Sequence, residues 1–454
     1  MYDLLIQNGL VVSSEGVERL DLAVKDGRIS ALGIPGSLAN AREIVDAKGR
    51  YVFPGAIDTH AHLNDPGYNW RETFDRGTAA AAVGGYTTIF DMPLQNVPAM
   101  TNVDIMHKKL GHVQSKAFVD YCLWGGLVDY NFDSLLGLYN EGVVAFKSFI
   151  GPVSSDYVSL NYGQVREALE VISSFGGIAG FHCEDFSMIK WGEVRAKRKK
   201  KPTWQDFLES RPVSAELIAT EAVITLAEEI GCRVHICHVS HPDVAKVIAS
   251  AQEAGVSVTA ETCTHYLAMT EEDVIDKGSL FKCAPPLRSK QAKELLWEYV
   301  LNGTFAGIAS DHSPCALPEK CEEEHGVFGT WGGISGIQSS MQVIFSEGVI
   351  KRGFNPSFMA RTMSENPARA FGIWGKKGAL KPGFDADIVI LDPVQKWEIT
   401  SDSLLYINKI SAFVGMEGTG YPVQTYVRGK LVAANGGVVE DACGYGEFVK
   451  RVKP

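Results

Sequence analysis

The sequence predicts an α/β protein, a (β/α)8 TIM barrel joined to a small β-sandwich domain that both chain ends build together. Three observations predict this fold class. Short apolar runs alternate with amphipathic stretches through the centre of the chain, and the first and last segments both read as strands separated by tight turns. Polar residues also follow many of the central apolar runs, as expected where a barrel gathers functional side chains at its strand ends.

The two chain ends share a hairpin-rich pattern. The N-terminal runs "DLLIQNGLVV" and "DLAVKDGRISALG" are punctuated by Asn-Gly and Asp-Gly, which favour two-residue hairpin turns. The C-terminal runs "GALKPGFDADIVILDP" and "YPVQTYVRGKLVAANGG" repeat this style. We predict that residues 1–54 and 378–454 pair into one β-sandwich domain beside a catalytic domain of residues 55–377.

The central segment alternates between strand-like and helix-like patterns. Runs such as "TTIFDMPL", "VVAFKSFI" and "FAGIASDHS" are separated by amphipathic stretches such as "SAELIATEAVITLAEEIG". This alternation is typical of a parallel sheet with crossover helices, and about eight strands are present. A doubly wound open sheet is the alternative fold. No GxGxxG follows the first strand and polar residues end many different strands, so the pattern favours the barrel.

Composition narrows the class of function. The chain has 454 residues and a net charge of −11, which argues against binding nucleic acid or an anionic membrane surface. One basic run, residues 195–201, is interpreted as a solvated helix face or surface loop, with an interaction patch as the alternative. Nine cysteines without zinc-finger spacing indicate reduced thiols, and the first residues read as a strand rather than a signal peptide. We therefore expect a cytoplasmic protein without membrane spans.

The stretch "DTHAHLNDPG" carries the first candidate metal ligands. Residues i and i+2 of a strand project from the same face, so His60 and His62 can reach one ion while Ala61 points away. Such a pair is a weak signal by itself, because two polar residues at a strand end are common.

Other strand ends strengthen the metal hypothesis. His182 follows the apolar run "GGIAG", His238 closes "RVHICH", and Asp311 ends a strand whose alternate positions are small. His235 has the opposite alternation to His238, so we interpret His235 as facing outward, while His241 falls in a loop.

Lys147 interrupts the strongly apolar run "VVAFKSFI". It can be a lysine that reaches the barrel mouth or pairs with a carboxylate. Alternatively, a lysine kept neutral by burial is nucleophilic and can add carbon dioxide, giving an anionic carbamate able to bridge two metal ions.

The remaining histidines have simpler interpretations. His107, His112 and His325 lie in polar, helix-like or acidic stretches and are interpreted as surface residues. His265, in "ETCTHYL", either lines the pocket or supports a loop.

In their kind and order these motifs resemble the amidohydrolase superfamily, and more narrowly its cyclic amidohydrolase branch of dihydroorotases, hydantoinases or dihydropyrimidinases, and allantoinases. The phrases "PGAIDTHAHLNDPG", "GGYTTIFDMP", "FKSFI", "CHVS", "APPLR", "SDHSPC" and "GALKPGFDADIVI" carry the resemblance over nearly the whole chain.

The resemblance implies a centre of two divalent metal ions, usually zinc, with cobalt, manganese or iron as alternatives. Its ligands would be His60, His62 and Asp311 on the first metal, His182 and His238 on the second, and a carbamate derived from carbon dioxide on Lys147 between them. Asp311 would also act as the general acid and base.

Local features separate the members of the branch. Dihydroorotases resemble HxHxR, whereas this chain has Asn64 in place of the arginine. Hydantoinases carry a tyrosine five residues after the lysine, where this chain has Pro152. Allantoinases resemble this chain in "FKSF", "SDHSPC" and "WGGISGIQ". The resemblance therefore implies metal-dependent hydrolysis of the ring amide of allantoin to allantoate in purine catabolism.

Two alternatives to that function are a hydantoinase or dihydropyrimidinase and, from a different class, a non-catalytic scaffold on the same barrel. The presence of all six ligand residues disfavours the scaffold. The family also implies a small-molecule substrate and a homotetramer.

The candidate substrate contacts are Asn64, Ala284, Ser313 and Gly333. Allantoinases can have Ser where Ala284 stands, so the backbone is expected to make that contact. Two loops, residues 195–212 and 315–333, are candidates for mobile segments at the mouth.

Overall fold

The computed structural model describes residues 1–153 and 157–452, so the predicted limit of the C-terminal segment, residue 454, lies outside the described residues. Two β-sheets contain all the strands of this described part. The strands are β1 (Tyr2–Val12), β2 (Val17–Lys25), β3 (Arg28–Gly33), β4 (Ala41–Asp46), β5 (Tyr51–Pro54), β6 (Ala56–Ala61), β7 (Tyr86–Asp91), β8 (Asp120–Gly126), β9 (Ala145–Phe149), β10 (Ile178–His182), β11 (Arg233–Ile236), β12 (Val258–Cys263), β13 (Gly307–Ala309), β14 (Ile388–Glu398), β15 (Glu417–Val427), β16 (Lys430–Ala434) and β17 (Gly437–Val438).

The first sheet joins the two ends of the chain. Its order is β17-β16-β15-β14-β5-β1-β2-β3, with β4 paired to β1, and the antiparallel β5–β14 pair unites the N-terminal and C-terminal segments. The Asp26-Gly27 turn between β2 and β3 has φ values of 51° and 73°, the left-handed geometry that the hairpin prediction requires. Buried aliphatic side chains from both segments, among them Leu22, Val52 and Ile388, form a core of their own here.

The second sheet is the barrel. Strands β6 to β13 lie in sequence order and all pair in parallel. The first and last strands meet where Ala61 pairs with His312, and the His62 amide donates to the His312 carbonyl at 2.8 Å. This contact closes the barrel and rules out the doubly wound alternative, so the predicted (β/α)8 fold class with an attached β unit is confirmed.

Helices cover the outside of the barrel and also lie within the segments that connect its strands. They are α1 (Phe74–Val83), α2 (Val103–Val113), α3 (Leu135–Glu141), α4 (Tyr162–Ser173), α5 (Phe186–Ala196), α6 (Trp204–Ser210), α7 (Val213–Ile230), α8 (Pro242–Glu253), α9 (Thr264–Ala268), α10 (Glu271–Lys277), α11 (Lys290–Asn302), α12 (Glu322–Gly329), α13 (Ser340–Ile344), α14 (Ser357–Ala360) and α15 (Asn366–Ala370).

Local sequence explains where several helices begin. Asn161 and Gln164 form a capping box at α4, and the loop residue His241 caps α8 by accepting the Asp243 amide at 3.2 Å. Within the described residues, no helix has both the length and the apolar character required to cross a membrane.

A buried ion cluster ties the two sheets together. The Lys377 ammonium lies 2.5 Å from Asp120, at the start of β8, and 2.7 Å from Asp387, just before β14. Asp385 lies at 2.9 Å, and Arg428 also pairs with Asp120. Burial alone would lower the pKa of Lys377, but the three carboxylates hold it well above its usual value. The ammonium therefore stays charged and compensates carboxylates from both sheets.

Replacing Lys377 with Met is expected to destabilise the protein by about 3–5 kcal/mol, because removing one partner of a buried ion cluster leaves the others uncompensated. Denaturant unfolding measures the change. Lys396→Met, at an exposed position on β14, is the matched control and should stay close to the parent. Equal free energies of unfolding for both variants would contradict the structural role of the cluster.

Candidate metal centre and active site

One cavity of about 400 Å³ collects the predicted metal ligands at the C-terminal end of the barrel strands. His60 lies within β6, Lys147 within β9 and His182 at the end of β10, while His238 and Asp311 follow β11 and β13. The six predicted ligands that line this cavity are His60, His62, Lys147, His182, His238 and Asp311. The tertiary structure thus brings together residues that are up to 251 positions apart in sequence.

The first group of ligands surrounds Asp311. The Asp311 Oδ1 atom lies 3.5 Å from His60 Nε2 and 3.4 Å from His62 Nε2, close enough for the three side chains to hold one metal ion. Asp311 has a φ of 42°, an uncommon backbone geometry for a residue with a side chain. This turn of the chain directs the carboxylate toward the histidines.

The second group contains His182 and His238. His182 Nδ1 lies 3.1 Å from His238 Nε2. Phe149 stacks on the His182 ring, with the two ring centroids 5.1 Å apart. His238 Nδ1 and Lys147 Nζ are buried and have no hydrogen-bond partner within the described part of the chain. Imidazole nitrogens and carboxylate oxygens suit zinc and related divalent ions, so this donor set fits a metal centre.

Burial sets the charge of these groups. It lowers the pKa of His60 to about 4, and it also lowers the pKa values of His182 and His238. For Asp311, burial alone would raise the pKa, but His60 and His62 bring it down to about 2. At neutral pH the imidazoles of His60, His182 and His238 are therefore neutral and the Asp311 carboxylate is ionised, the forms that bind metal ions.

Glu261 is a functional candidate that the sequence analysis missed. Glu261 lies on β12 and is fully buried. Its Oε1 atom lies 2.6 Å from His60 Nδ1, and its Oε2 atom accepts a hydrogen bond from the Thr59 hydroxyl. Because Glu261 engages Nδ1, the Nε2 atom of His60 remains free to face Asp311. The signal in the sequence was a carboxylate inside the apolar run "VTAETC".

The position of His235 corrects the outward orientation expected from strand alternation. His235 Nε2 lies 3.4 Å from Glu261, and its Nδ1 contacts Thr259 at 2.9 Å, so the side chain faces the barrel interior beneath His60. Strand alternation does not extend to His238, because β11 ends at Ile236 and His238 adopts a φ of 39° beyond it. Both histidines can then face inward.

Glu184 contacts His182 of the second group, as Glu261 contacts His60. Its Oε2 atom lies 2.8 Å from His182 Nε2 and also pairs with Arg211, which itself lines the cavity. This contact leaves His182 Nδ1 facing His238. A charged pair thus fixes the ring of His182 much as Glu261 fixes that of His60.

Two of the four predicted substrate contacts line the cavity and two do not. Ala284 and Ser313 line the cavity, whereas Asn64 and Gly333 are not among its lining residues. The Asn64 side chain is buried and donates to the His62 carbonyl at 3.3 Å. A Cβ atom at Gly333 would collide with Ser313, so only glycine allows this close approach.

Phe328, Thr330, Trp331 and Gly332 form one wall of the cavity. The side chains of Lys282 and Arg71 contact this wall. Lys282 donates to the Thr330 carbonyl at 2.6 Å, and Arg71 stacks 3.9 Å from the Trp331 ring. Arg71 Nε and Nη2 also both donate to Glu319 Oε1, at 2.9 and 2.5 Å, in the same segment. Residues 315–333 are therefore attached to the barrel at several points.

The other histidines vary in exposure. His107 is exposed, and His112, which is about half exposed, contacts the buried Asp65 at 2.5 Å. His325 pairs only distantly with Glu324, whereas His265 is fully buried beside Asp311 without lining the cavity.

The profile of the amidohydrolase family matches residues 51–432 of the chain, well over half of its length. The chain belongs to the amidohydrolase family. This amidohydrolase is 40% identical over 444 residues to the allantoinase of Rubrobacter xylanophilus, covering 98% of this chain and 97% of that protein. It is 36% identical over 436 residues to an allantoinase of Escherichia coli, covering 95% of each chain.

Solved structures with the same fold include an L-hydantoinase (dihydropyrimidinase) from Arthrobacter aurescens. That structure superimposes on this amidohydrolase with a TM-score of 0.96 at 33% identity, covering 99% of this chain and 100% of that chain. A D-hydantoinase structure matches with a TM-score of 0.91 at 29% identity, covering 99% of each chain.

The contact between Glu261 and His60 leads to a prediction about metal affinity. Glu261→Gln keeps the size of the side chain but removes the charge that orients His60, so we expect metal binding about 10–100-fold weaker than in the parent. Competition with a chromogenic chelator measures the change. Glu253→Gln, at an exposed position on α8, is the control, and equal affinity in all three proteins would contradict the role of Glu261.

Proposed function

We propose that this amidohydrolase is an allantoinase, which hydrolyses the hydantoin ring amide of allantoin to give allantoate in purine catabolism. The observation that carries the proposal is similarity over nearly the whole chain to allantoinases of two bacteria, at 40% and 36% identity. A hydantoinase or dihydropyrimidinase is the second candidate, because the solved relatives carry those names.

Two positions favour allantoin over the substrates of related enzymes. Asn64 stands where a dihydroorotase has an arginine to bind the substrate carboxylate, and Pro152 lines the cavity where a hydantoinase has a tyrosine. Among the described residues that line the cavity, none is a tyrosine. Tyr157, the tyrosine nearest to Pro152 in sequence, is buried, and its hydroxyl donates a hydrogen bond to the Lys147 carbonyl at 2.6 Å. An uncharged ring with a ureido arm needs hydrogen bonds, for which Ser313 and the backbone at Ala284 are available.

We infer that the cavity holds two divalent metal ions, with zinc favoured and cobalt, manganese or iron as alternatives. The proposed ligands are His60, His62 and Asp311 for one ion, His182 and His238 for the other, and a carbamate on Lys147 for both. When bound, such ions lower the pKa of a water nucleophile and polarise the carbonyl that it attacks.

The carbamate explains the surroundings of Lys147. Its Nζ atom is fully buried, faces a group of proposed metal ligands and has no hydrogen-bond partner among the described residues. An ammonium ion there would repel cations and would be buried without compensation. When carbon dioxide adds to the neutral amine, an N–C bond forms and one proton leaves the nitrogen, giving an anion with two oxygen donors that suits the site.

The remaining steps use side chains of this chain. The Asp311 carboxylate is ionised and accepts a proton as the nucleophile attacks, then returns it to the ring nitrogen that leaves. Glu261 and Glu184 hold the rings of His60 and His182 in place throughout. The aromatic walls at Phe149 and Trp331 restrict water around the ring amide.

The proposed setting follows the family and the composition. We propose a cytoplasmic homotetramer that acts on a small molecule and binds neither nucleic acid nor membrane, consistent with the net charge of −11. Residues 55–377 would form the catalytic domain, and residues 1–54 and 378–454 the supporting β domain.

A four-substrate assay tests the proposed function. Protein supplemented with zinc, cobalt or manganese is assayed with allantoin, hydantoin, dihydrouracil and dihydroorotate, and we expect the highest kcat/KM with allantoin. Preference for hydantoin or dihydrouracil would replace the proposal with the second candidate. Absence of turnover and of bound metal would instead support a non-catalytic scaffold.

Asp311→Asn is expected to lower kcat by about 10²–10⁴-fold, because the amide cannot accept and return the proton. Metal content should stay near that of the parent, as measured by elemental analysis, since the amide oxygen can still coordinate. Asp243→Asn, on the exposed first turn of α8, is the control. A rate close to that of the parent would show that another group is the base.

Lys147→Ala is expected to lose bound metal and activity, because the proposed bridging anion is removed. Short carboxylic acids should restore part of the activity by occupying the vacated position. Lys246→Ala, at an exposed position on α8, should behave like the parent. Full metal occupancy in unsupplemented Lys147→Ala would overturn the bridging role.

A further inference from the structure

A second cavity, of about 260 Å³, lies at the opposite end of the barrel from the candidate active site. It is lined by residues at the beginnings of three neighbouring strands: Val144 precedes β9, Ile178 begins β10 and Arg233 begins β11. The other ends of these strands lead to Lys147, His182 and His238. Nothing in the proposed reaction uses this second cavity.

Three arginines from separate parts of the chain line it: Arg233 from β11, Arg369 from α15 and Arg451 from the C-terminal segment. We name these three residues the basal arginine pocket. Arg369 pairs with Glu365 at 2.8 Å, but Arg233 and Arg451 have no carboxylate partner among residues 1–153 and 157–452. Their hydrogen bonds within the described part of the chain go to carbonyls: Arg233 donates to Ala370 at 3.0 Å and Arg451 to Tyr139 at 3.2 Å.

Arg233 and Arg451 place positive charge in the pocket without a carboxylate partner among the described residues. No aspartate or glutamate is among the described residues that line it, although the chain as a whole carries a net charge of −11. The Nε atom of Arg451 is buried without a hydrogen-bond partner in the described part of the chain. Burial lowers the pKa of Arg451, and the charge of Arg233 lowers it further. An anion between these groups would satisfy unused donors and reduce the repulsion.

Aromatic rings hold the guanidinium groups in position. The Arg451 guanidinium lies 3.2 Å from the centroid of the Tyr139 ring, and that of Arg369 lies 3.7 Å from the centroid of Trp374. Preorganised planar donors of this kind match the geometry of carboxylate and phosphate oxygens. The volume exceeds that needed for a bare ion, and the ring of Phe371 supplies an apolar wall.

We propose that the basal arginine pocket binds a small oxyanion, either inorganic phosphate or an organic carboxylate with a planar or apolar body. The oxyanion accepts hydrogen bonds from Arg233 and Arg451, and an organic body packs against the aromatic walls. The ligand connects the start of β11 to the C-terminal segment, so its binding stabilises the native protein by mass action.

Thermal unfolding and calorimetric titration of the metal-loaded full-length protein test the proposal. Phosphate, acetate and benzoate are titrated separately at constant ionic strength. We expect a saturable rise in Tm, and the anion that gives the lowest Kd distinguishes phosphate from an organic carboxylate. Arg233→Met and Arg451→Met should weaken binding of the anion about tenfold or more. The rate of allantoin hydrolysis should stay close to that of the parent. The control is Arg166→Met, a paired surface arginine on α4.

Arg369→Met removes the third positive charge that lines the pocket and should weaken binding by a smaller factor, which keeps the test valid if either of the other variants fails to fold. Loss of saturable binding in any folded pocket variant, but not in Arg166→Met, supports the site. Absence of a saturable effect in the parent overturns the proposal. Equal binding in the parent and the pocket variants also overturns it, because the anion would then bind elsewhere, for example at the metal centre. The four-substrate assay is independent of all these outcomes.

Discussion

An ionisable group that leaves water needs a compensating partner, and the candidate active site depends on how this constraint is met. Six potential ligands converge at one end of the barrel, where all six residues are buried. Glu261 compensates His60, and Glu184 with Arg211 compensates His182. Each carboxylate engages one nitrogen of its imidazole and thereby fixes the direction of the other. Lys147 Nζ, like His238 Nδ1, is buried without a hydrogen-bond partner among the described residues, and this is the strongest local reason to propose the carbamate.

The closed barrel supplies the geometry that this compensation requires. Parallel strands bring their C-terminal ends to one rim, and the two backbone turns at His238 and Asp311 redirect side chains just beyond the strands. The sheet built from the two chain ends supports this arrangement from the side, because the Lys377 cluster connects the start of β8 with the segment before β14. Charge compensation therefore appears twice, once to orient ligands and once to join the two sheets.

The proposed metal ligands and one wall of the cavity come from different parts of the molecule. The proposed ligands lie on barrel strands or directly after them, whereas the cavity wall of Phe328, Thr330 and Trp331 belongs to a connecting segment. Lys282 and Arg71 attach that segment to the barrel through carbonyl, carboxylate and aromatic contacts. Similar barrels with similar metal centres can thus act on different cyclic amides when the wall changes. The high structural similarity to hydantoinases, together with full-length sequence similarity to allantoinases, is consistent with this division.

The sequence by itself determined the barrel, the hairpin-rich chain ends and the six candidate ligands. These features depend on local periodicity, turn residues and polar residues at the ends of apolar runs, all of which are readable without contacts. Only the tertiary structure decided that His235 faces inward, that Glu261 and Glu184 hold the histidines, and that Asn64 and Gly333 lie outside the cavity lining. Strand alternation stops being informative once the backbone leaves the strand, as it does before His238. Pairing between residues such as His60 and Glu261 depends on strands far apart in sequence, which become neighbours only when the barrel closes.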